Sequence, residues 1–222
     1  MAEPQNDSIF REIEEELRHE QFAKIWKRYG NFLVGGAVAI VVAVGAFQVW
    51  KKHDLDTRRA EGERYEASLR LATGGNEQAA LDAFSKLETE ANDGYSLLSR
   101  FQKANLLAQQ GNDEAAIDAY ERISSDSGQD AIFRDLATLR SLVLRMNAGE
   151  TGSSGDIKDR LQQLASDSST WRHSAQELLA ALAEQSGERA RARELLSALA
   201  ADVTAPQGIR QRAEELILAL AE

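Results

Sequence analysis

Three patterns of apolar and polar positions follow one another along the chain, and each predicts a different element. From Phe32 to Trp50 the sequence FLVGGAVAIVVAVGAFQVW runs for nineteen residues with one polar side chain, Gln48, and no charge. As a helix rising about 1.5 Å per residue it spans roughly 28 Å, the thickness of the hydrocarbon core of a bilayer. Before it, SIFREIEEELRHEQFAKIWKRYG places Phe10, Ile13, Leu17, Phe22, Ile25 and Trp26 largely along one helical stripe, with Glu12, Glu14, Glu15, Glu16 and Glu20 off it. Ser8 is a suitable N-cap, so an amphipathic helix is predicted to feed the apolar one. After Lys52 the apolar positions recur at helical spacing, interrupted by glycine turns.

The flanks of the apolar stretch read as membrane borders. Lys24, Lys27 and Arg28 precede it and Lys51 and Lys52 close it, while Trp26, Tyr29 and Trp50 stand where amphipathic rings settle at headgroup level. A core helix that is apolar on every side needs an apolar surround, and nothing else in this polar chain supplies one. A cleaved signal peptide has a short basic leader, a core of roughly 7 to 15 residues and a small-x-small cleavage site. Here the leader is 31 residues long with seven acids and the apolar run ends in bulky side chains, so the helix is read as an anchor that stays. The expected division is an amphipathic segment over 1–29, a transmembrane signal-anchor helix over 30–52 and a separate domain over 53–222. Gly35, Ala39 and Ala43 recur every four residues and form a small-residue face where another helix can approach closely. The amphipathic segment has two readings, a docking helix for a membrane partner or a helix lying along the headgroups. Basic residues are nearly balanced, with Arg18, Lys24, Lys27 and Arg28 before the span and Lys51, Lys52, Arg58, Arg59 and Arg64 after it, so charge leaves the orientation open.

The third pattern is an internal repeat. Gly75-Asn-Glu-Gln-Ala-Ala-Leu-Asp-Ala-Phe84 and Gly111-Asn-Asp-Glu-Ala-Ala-Ile-Asp-Ala-Tyr120 align residue for residue at an offset of 36. Each glycine ends one helix, Ala80 and Ala116 permit close approach of the next, and Phe84 and Tyr120 supply a large knob one turn later. Gly187 is followed by Ala192, Leu196 and Leu199 at the spacings of Ala116, Tyr120 and Ile123 from Gly111. Between them lies a degenerate pair, Ala131 to Ala148 and Asp156 to Ala165, joined by Gly149-Glu-Thr-Gly-Ser-Ser-Gly155. That loop follows no strand and precedes no Lys-Ser/Thr, so it reads as a connector and not as a phosphate cradle. Pro206 opens a last helix with Ile209, Ala213, Leu216 and Leu220 on one face, able to cap the stack. The fold class is all-α: about four antiparallel helix pairs and a C-terminal capping helix behind the membrane helix.

Composition narrows the chemistry. Residues 1–53 hold seven Lys or Arg and seven Asp or Glu, so the formal net charge of −10 belongs to the repeat domain. Such a domain repels phosphate backbones, and no nucleic-acid partner is expected. The absence of Cys removes disulfides and thiolate sites, and His19, His53 and His173 are scattered without ligand spacing and read as surface residues. The acids sit at exposed helical positions, and no nucleophile elbow surrounds a serine. No enzyme activity, cofactor or small-molecule substrate is expected.

Turn glycine, small residue, aromatic and aliphatic at these spacings resemble the tetratricopeptide repeat, matched well by Ala104, Gly111, Ala116, Tyr120 and Ile123. The whole layout resembles the YfgM-like family of ancillary SecYEG translocon subunits. That resemblance implies a bacterial inner-membrane protein with residues 1–29 cytoplasmic and the repeat domain periplasmic. It also implies Sec translocon subunits and periplasmic chaperones as partners. A general cell-envelope scaffold, serving division or wall assembly, is the alternative. In the repeat register the first helix of each pair lines the concave surface, and the same offset aligns Tyr65 with Phe101 and Leu69 with Asn105. These four residues are the candidate partner-binding positions, and the recurring aromatics are either groove anchors or core.

Overall fold

The computed structural model describes the backbone of residues 5–149 and 154–220 and the side chains of residues 26–149 and 156–220. Among the described residues every regular element is a helix: α1 (Gln5–Thr73), α2 (Glu77–Glu90), α3 (Asp93–Gln109), α4 (Asp113–Ser124), α5 (Ala131–Asn147), α6 (Ser154–Leu164), α7 (Arg172–Gln185), α8 (Arg189–Ala201) and α9 (Gln207–Ala219). The chain divides into two compact units, residues 1–59 and residues 60–222.

The first unit is helical from Gln5, so Ser8 lies within α1 and not at its cap. The amphipathic stripe before Trp26 lies outside the described side chains. From Phe32 to Trp50 every residue is exposed, Phe32 at 80% and Val41 at 71%, and this is the one helix among the described residues long and apolar enough to cross a membrane. Trp26 folds back over Gly30, and the Arg28 guanidinium stands 5.8 Å from the Tyr29 ring centre.

In the second unit the end of α1 packs on α2 through Tyr65, Leu69 and Ala72, α3 packs with α4 and α7 with α8, α5 shares a core cluster with α6 while lying mainly on α4, and α9 covers the last pair. The turns repeat because the backbone demands the same residue each time. Gly75, Gly111, Gly149 and Gly187 have φ between 72° and 80°, a region costly for side chains bearing Cβ. Three of these ends close alike: Asn112 N–H donates to Leu107 O at 3.0 Å and Gly111 N–H to Ala108 O at 3.0 Å, and the same two bonds recur at Gly75 and Gly187. Two otherwise unpaired carbonyls are thereby satisfied at each end.

Beyond each turn the alanines at the close-packing position, Ala80, Ala116 and Ala192, are fully buried, as are the knobs Phe84, Tyr120 and Leu196. Pair three keeps the spacing but not the residue sizes. Ile157, Leu161 and Leu164 stand in for alanine, aromatic and aliphatic and pack against Leu139, Leu142 and Met146 of α5 and Ala175 of α7. A bulky residue at the small position holds helices apart, and α6 lies mainly on α7. The cap differs from the expected face at one position: Ile209, Ala213, Ile217 and Leu220 pack on the last core cluster, whereas Leu216 is exposed. At 100° per residue, Ile217 falls nearer the Ala213 direction than Leu216 does. Arg212 locks α9 to α7 through a two-pronged bond to Glu177, both contacts at 2.8 Å.

Candidate functional site

The candidate surface of a repeat domain is built from residues that the repeat brings into register. Tyr65 on α1 and Phe101 on α3 occupy equivalent places, and the structure gives them equivalent neighbours. The Tyr65 ring centre lies 5.9 Å from Phe84 of α2, and the Phe101 ring centre lies 6.1 Å from Tyr120 of α4. Tyr65 also meets Tyr95 of α3 at 5.7 Å. Each ring is half-buried and tilted against the knob of its own pair. Leu69 packs into the cluster of Ala80, Phe84 and Leu106. Asn105 accepts a hydrogen bond from the Tyr120 hydroxyl through Oδ1, leaving its amide donors turned to other uses.

Asn105 also lines a trough of about 260 Å³ between α3 and α5, with Gln109, Tyr120, Arg140, Val143 and Leu144. Burial pushes the Tyr120 phenol above its ordinary pKa, partly offset by the Arg140 cation. The trough thus offers amide and guanidinium donors above a phenol that stays protonated, suited to carbonyl and carboxylate groups of a bound peptide. Arg140 was not legible in the sequence, because repeat alignment does not say which residues of α5 face the end of α3. Leu98 on α3 and Ile132 and Phe133 on α5 are large apolar side chains exposed at 45%, 40% and 37%.

Two polar clusters tie helices together at the two ends of the repeat domain. Glu61 is buried, and its Oε1 accepts from Asn92 N–H at 3.0 Å and from Asn92 Nδ2 at 2.8 Å, tying the start of α3 to the end of α1. At the other end, Asp202 accepts from Thr204 Oγ1 and Thr204 N–H and lies 3.2 Å from His173 Nε2 and 3.3 Å from Arg172. The Thr204 hydroxyl and amide, followed by His173, hold the Asp202 carboxyl down at about 2. His173, read from sequence as a surface residue, has only 15% of its side chain exposed. Gly35, Ala39 and Ala43 lie in the first unit with exposed surfaces, and a Cβ added at Gly35 meets nothing within 4 Å. Among the described residues no group of three or more His, Cys, Asp or Glu is placed to hold a metal ion.

The comparisons with known proteins agree with this geometry. No curated protein matches the chain. A crystal structure of a Podosopora anserina putative kinesin light chain with nearly identical TPR-like repeats superposes with a TM-score of 0.53 at 15% identity, covering 71% of this chain and 83% of that one. A variant of the same protein gives a TM-score of 0.54 at the same identity and coverage. At that identity the likeness concerns the fold. The family model for the tetratricopeptide repeat-like domain matches residues 23–211. With glycine turns, alanine contacts and knobs recurring in the positions such repeats require, the chain belongs to the tetratricopeptide repeat-like domain family.

Proposed function

We propose that this protein is a membrane-anchored protein-interaction module, an ancillary subunit of the Sec translocon that holds periplasmic chaperones or emerging clients beside the exit. In this reading residues 30–52 span the bacterial inner membrane, residues 1–29 face the cytoplasm and residues 53–222 form the periplasmic domain. The observation that carries it is the join, in one chain, of an apolar helix exposed on every side to a repeat domain built from helix pairs. An exposed apolar surface of that length needs lipid or protein cover. The repeat domain is a scaffold for protein partners, and its troughs are lined by groups suited to peptides. Gly35, Ala39 and Ala43 supply the face for a neighbouring membrane helix, and Tyr65, Leu69, Phe101 and Asn105 border the partner surface.

The test is crosslinking in native membranes followed by mass-spectrometric identification. Translocon subunits together with export chaperones are the expected partners. Their reproducible absence, with division or wall-assembly proteins in their place, overturns the Sec reading in favour of a general envelope scaffold. A reporter active only outside the cytoplasm, fused after Glu222, checks the orientation, and an inactive fusion refutes it.

A further inference from the structure

We infer that the trough between α6 and α8 is a docking site for an amphipathic helix of a protein partner, aliphatic side chains inward and carboxylates on its flanks. It rests on the reading of the repeat domain as a protein-interaction scaffold, and is independent of the Sec assignment.

The repeat supplies its own control. The register that pairs Gly111 with Gly187 pairs Lys103 with Leu179, Leu107 with Ala183, Ala115 with Arg191 and Ala119 with Leu195. Those residues line matching troughs, one over α3 between α2 and α4, the other over α7 between α6 and α8. In the first, Lys103 Nζ reaches Glu88 Oε2 at 3.1 Å across the trough, and about 210 Å³ remains. In the second, Leu179 replaces that lysine, no ion pair of the described residues bridges the walls, and the space is about 530 Å³. The fold therefore does not require this trough to be open or apolar. Its width follows from pair three, where Ile157 takes the place of alanine and α6 lies on α7.

The lining specifies the occupant. Leu179, Leu182 and Leu195 give the trough an apolar lining, and its volume of about 530 Å³ lies within the range of ligand pockets, roughly 300 to 1,000 Å³. Lys158 on one wall and Arg191 on the other are exposed cations in a domain that carries the whole net charge of −10. Arg191 has an ion pair within its own helix, to Glu194 at 2.7 Å, where both side chains are mostly exposed, and Lys158 has none among the described residues. Glu188 is the single acid of the lining. A channel between two helices over a third receives a helix by its i, i+3, i+4 stripe, and cations on both walls select carboxylates beside that stripe.

The experiment uses the full chain in lipid nanodiscs and two labelled synthetic helices, each with leucine at i, i+3, i+4 and i+7. One is flanked by glutamates and the other by lysines. Saturable binding of the glutamate helix, with the lysine helix weaker by about tenfold or more, is expected. Leu179→Lys installs the residue that pair two already accommodates and is expected to abolish binding while the helical circular-dichroism spectrum stays unchanged, with a modest fall in melting temperature because Leu179 also packs on the cluster of Leu139, Leu142 and Leu161. The double change Lys158→Glu and Arg191→Glu, on exposed positions, is expected to reverse the preference. Equal binding of both helices, or binding unaltered by Leu179→Lys, overturns the inference. Concentration-dependent self-association that Leu179→Lys removes also overturns it, assigning the trough to a second copy of the chain. Failure here leaves the crosslinked partner set unchanged, so the two readings are separately refutable.

Discussion

Replacing Phe101 with alanine separates a groove anchor from a core residue, and Phe84, the fully buried knob of the preceding pair, calibrates the result. Phe84 is 1% exposed, so Phe84→Ala carries the full cost of emptying a buried aromatic site, about 3 to 5 kcal/mol. Phe101 is half-buried, with its ring centre 6.1 Å from Tyr120. Most of its surface is still covered, so removing it forfeits somewhat less than emptying the Phe84 site, which places Phe101→Ala at about 2 to 3 kcal/mol. For a domain of this size that corresponds to a fall in melting temperature of roughly 4 to 12 °C. Urea titration of the full chain in nanodiscs, followed by far-ultraviolet circular dichroism, measures both variants against the unaltered protein. A Phe101→Ala loss equal to that of Phe84→Ala makes Phe101 wholly core. No measurable loss, with partner capture intact, refutes any role for the position, whereas no loss with capture abolished makes it purely an anchor.

Gly111→Ala forces a Cβ residue into φ +74° and is expected to cost about 1 to 2 kcal/mol, read as a lowered urea midpoint with an unchanged slope. Asp202 is depressed from 3.8 to about 2 in the folded chain, so its contribution is fully present above the unfolded value and lost as pH falls from about 4 to about 2. Asp202→Asn is accordingly expected to lower the urea midpoint at neutral pH and to match the unaltered chain at the acid end. A difference that persists unchanged to pH 2 refutes the assignment. Val41→Arg places a charge at the centre of the apolar helix, where insertion costs roughly 2.5 to 3.5 kcal/mol, and is expected to shift the protein from the membrane to the soluble or degraded fraction. Unchanged membrane association of that variant argues against a span.

Local chemistry made much of this protein legible in its sequence. The glycine turns could be located because a left-handed backbone strongly favours glycine, and the alanine and aromatic positions because helices approach closely only over small side chains. The apolar run from Phe32 to Trp50 declared itself because no polar group interrupts it. Three things waited for the tertiary structure. The side chain of Asn105 is engaged by Tyr120 fifteen residues away, and Glu61 is buried against Asn92 across thirty-one, pairings that no local pattern encodes. Whether Tyr65 and Phe101 face a groove or a knob depends on the rotation of each first helix against its own second helix, which repeat alignment leaves free, and the structure turns part of each ring onto Phe84 and Tyr120. The leucine-lined trough arises because substitutions in two different pairs, Ile157 for alanine and Leu179 for lysine, act on one space. Each is an unremarkable apolar residue in the sequence, and only packing brings their effects together.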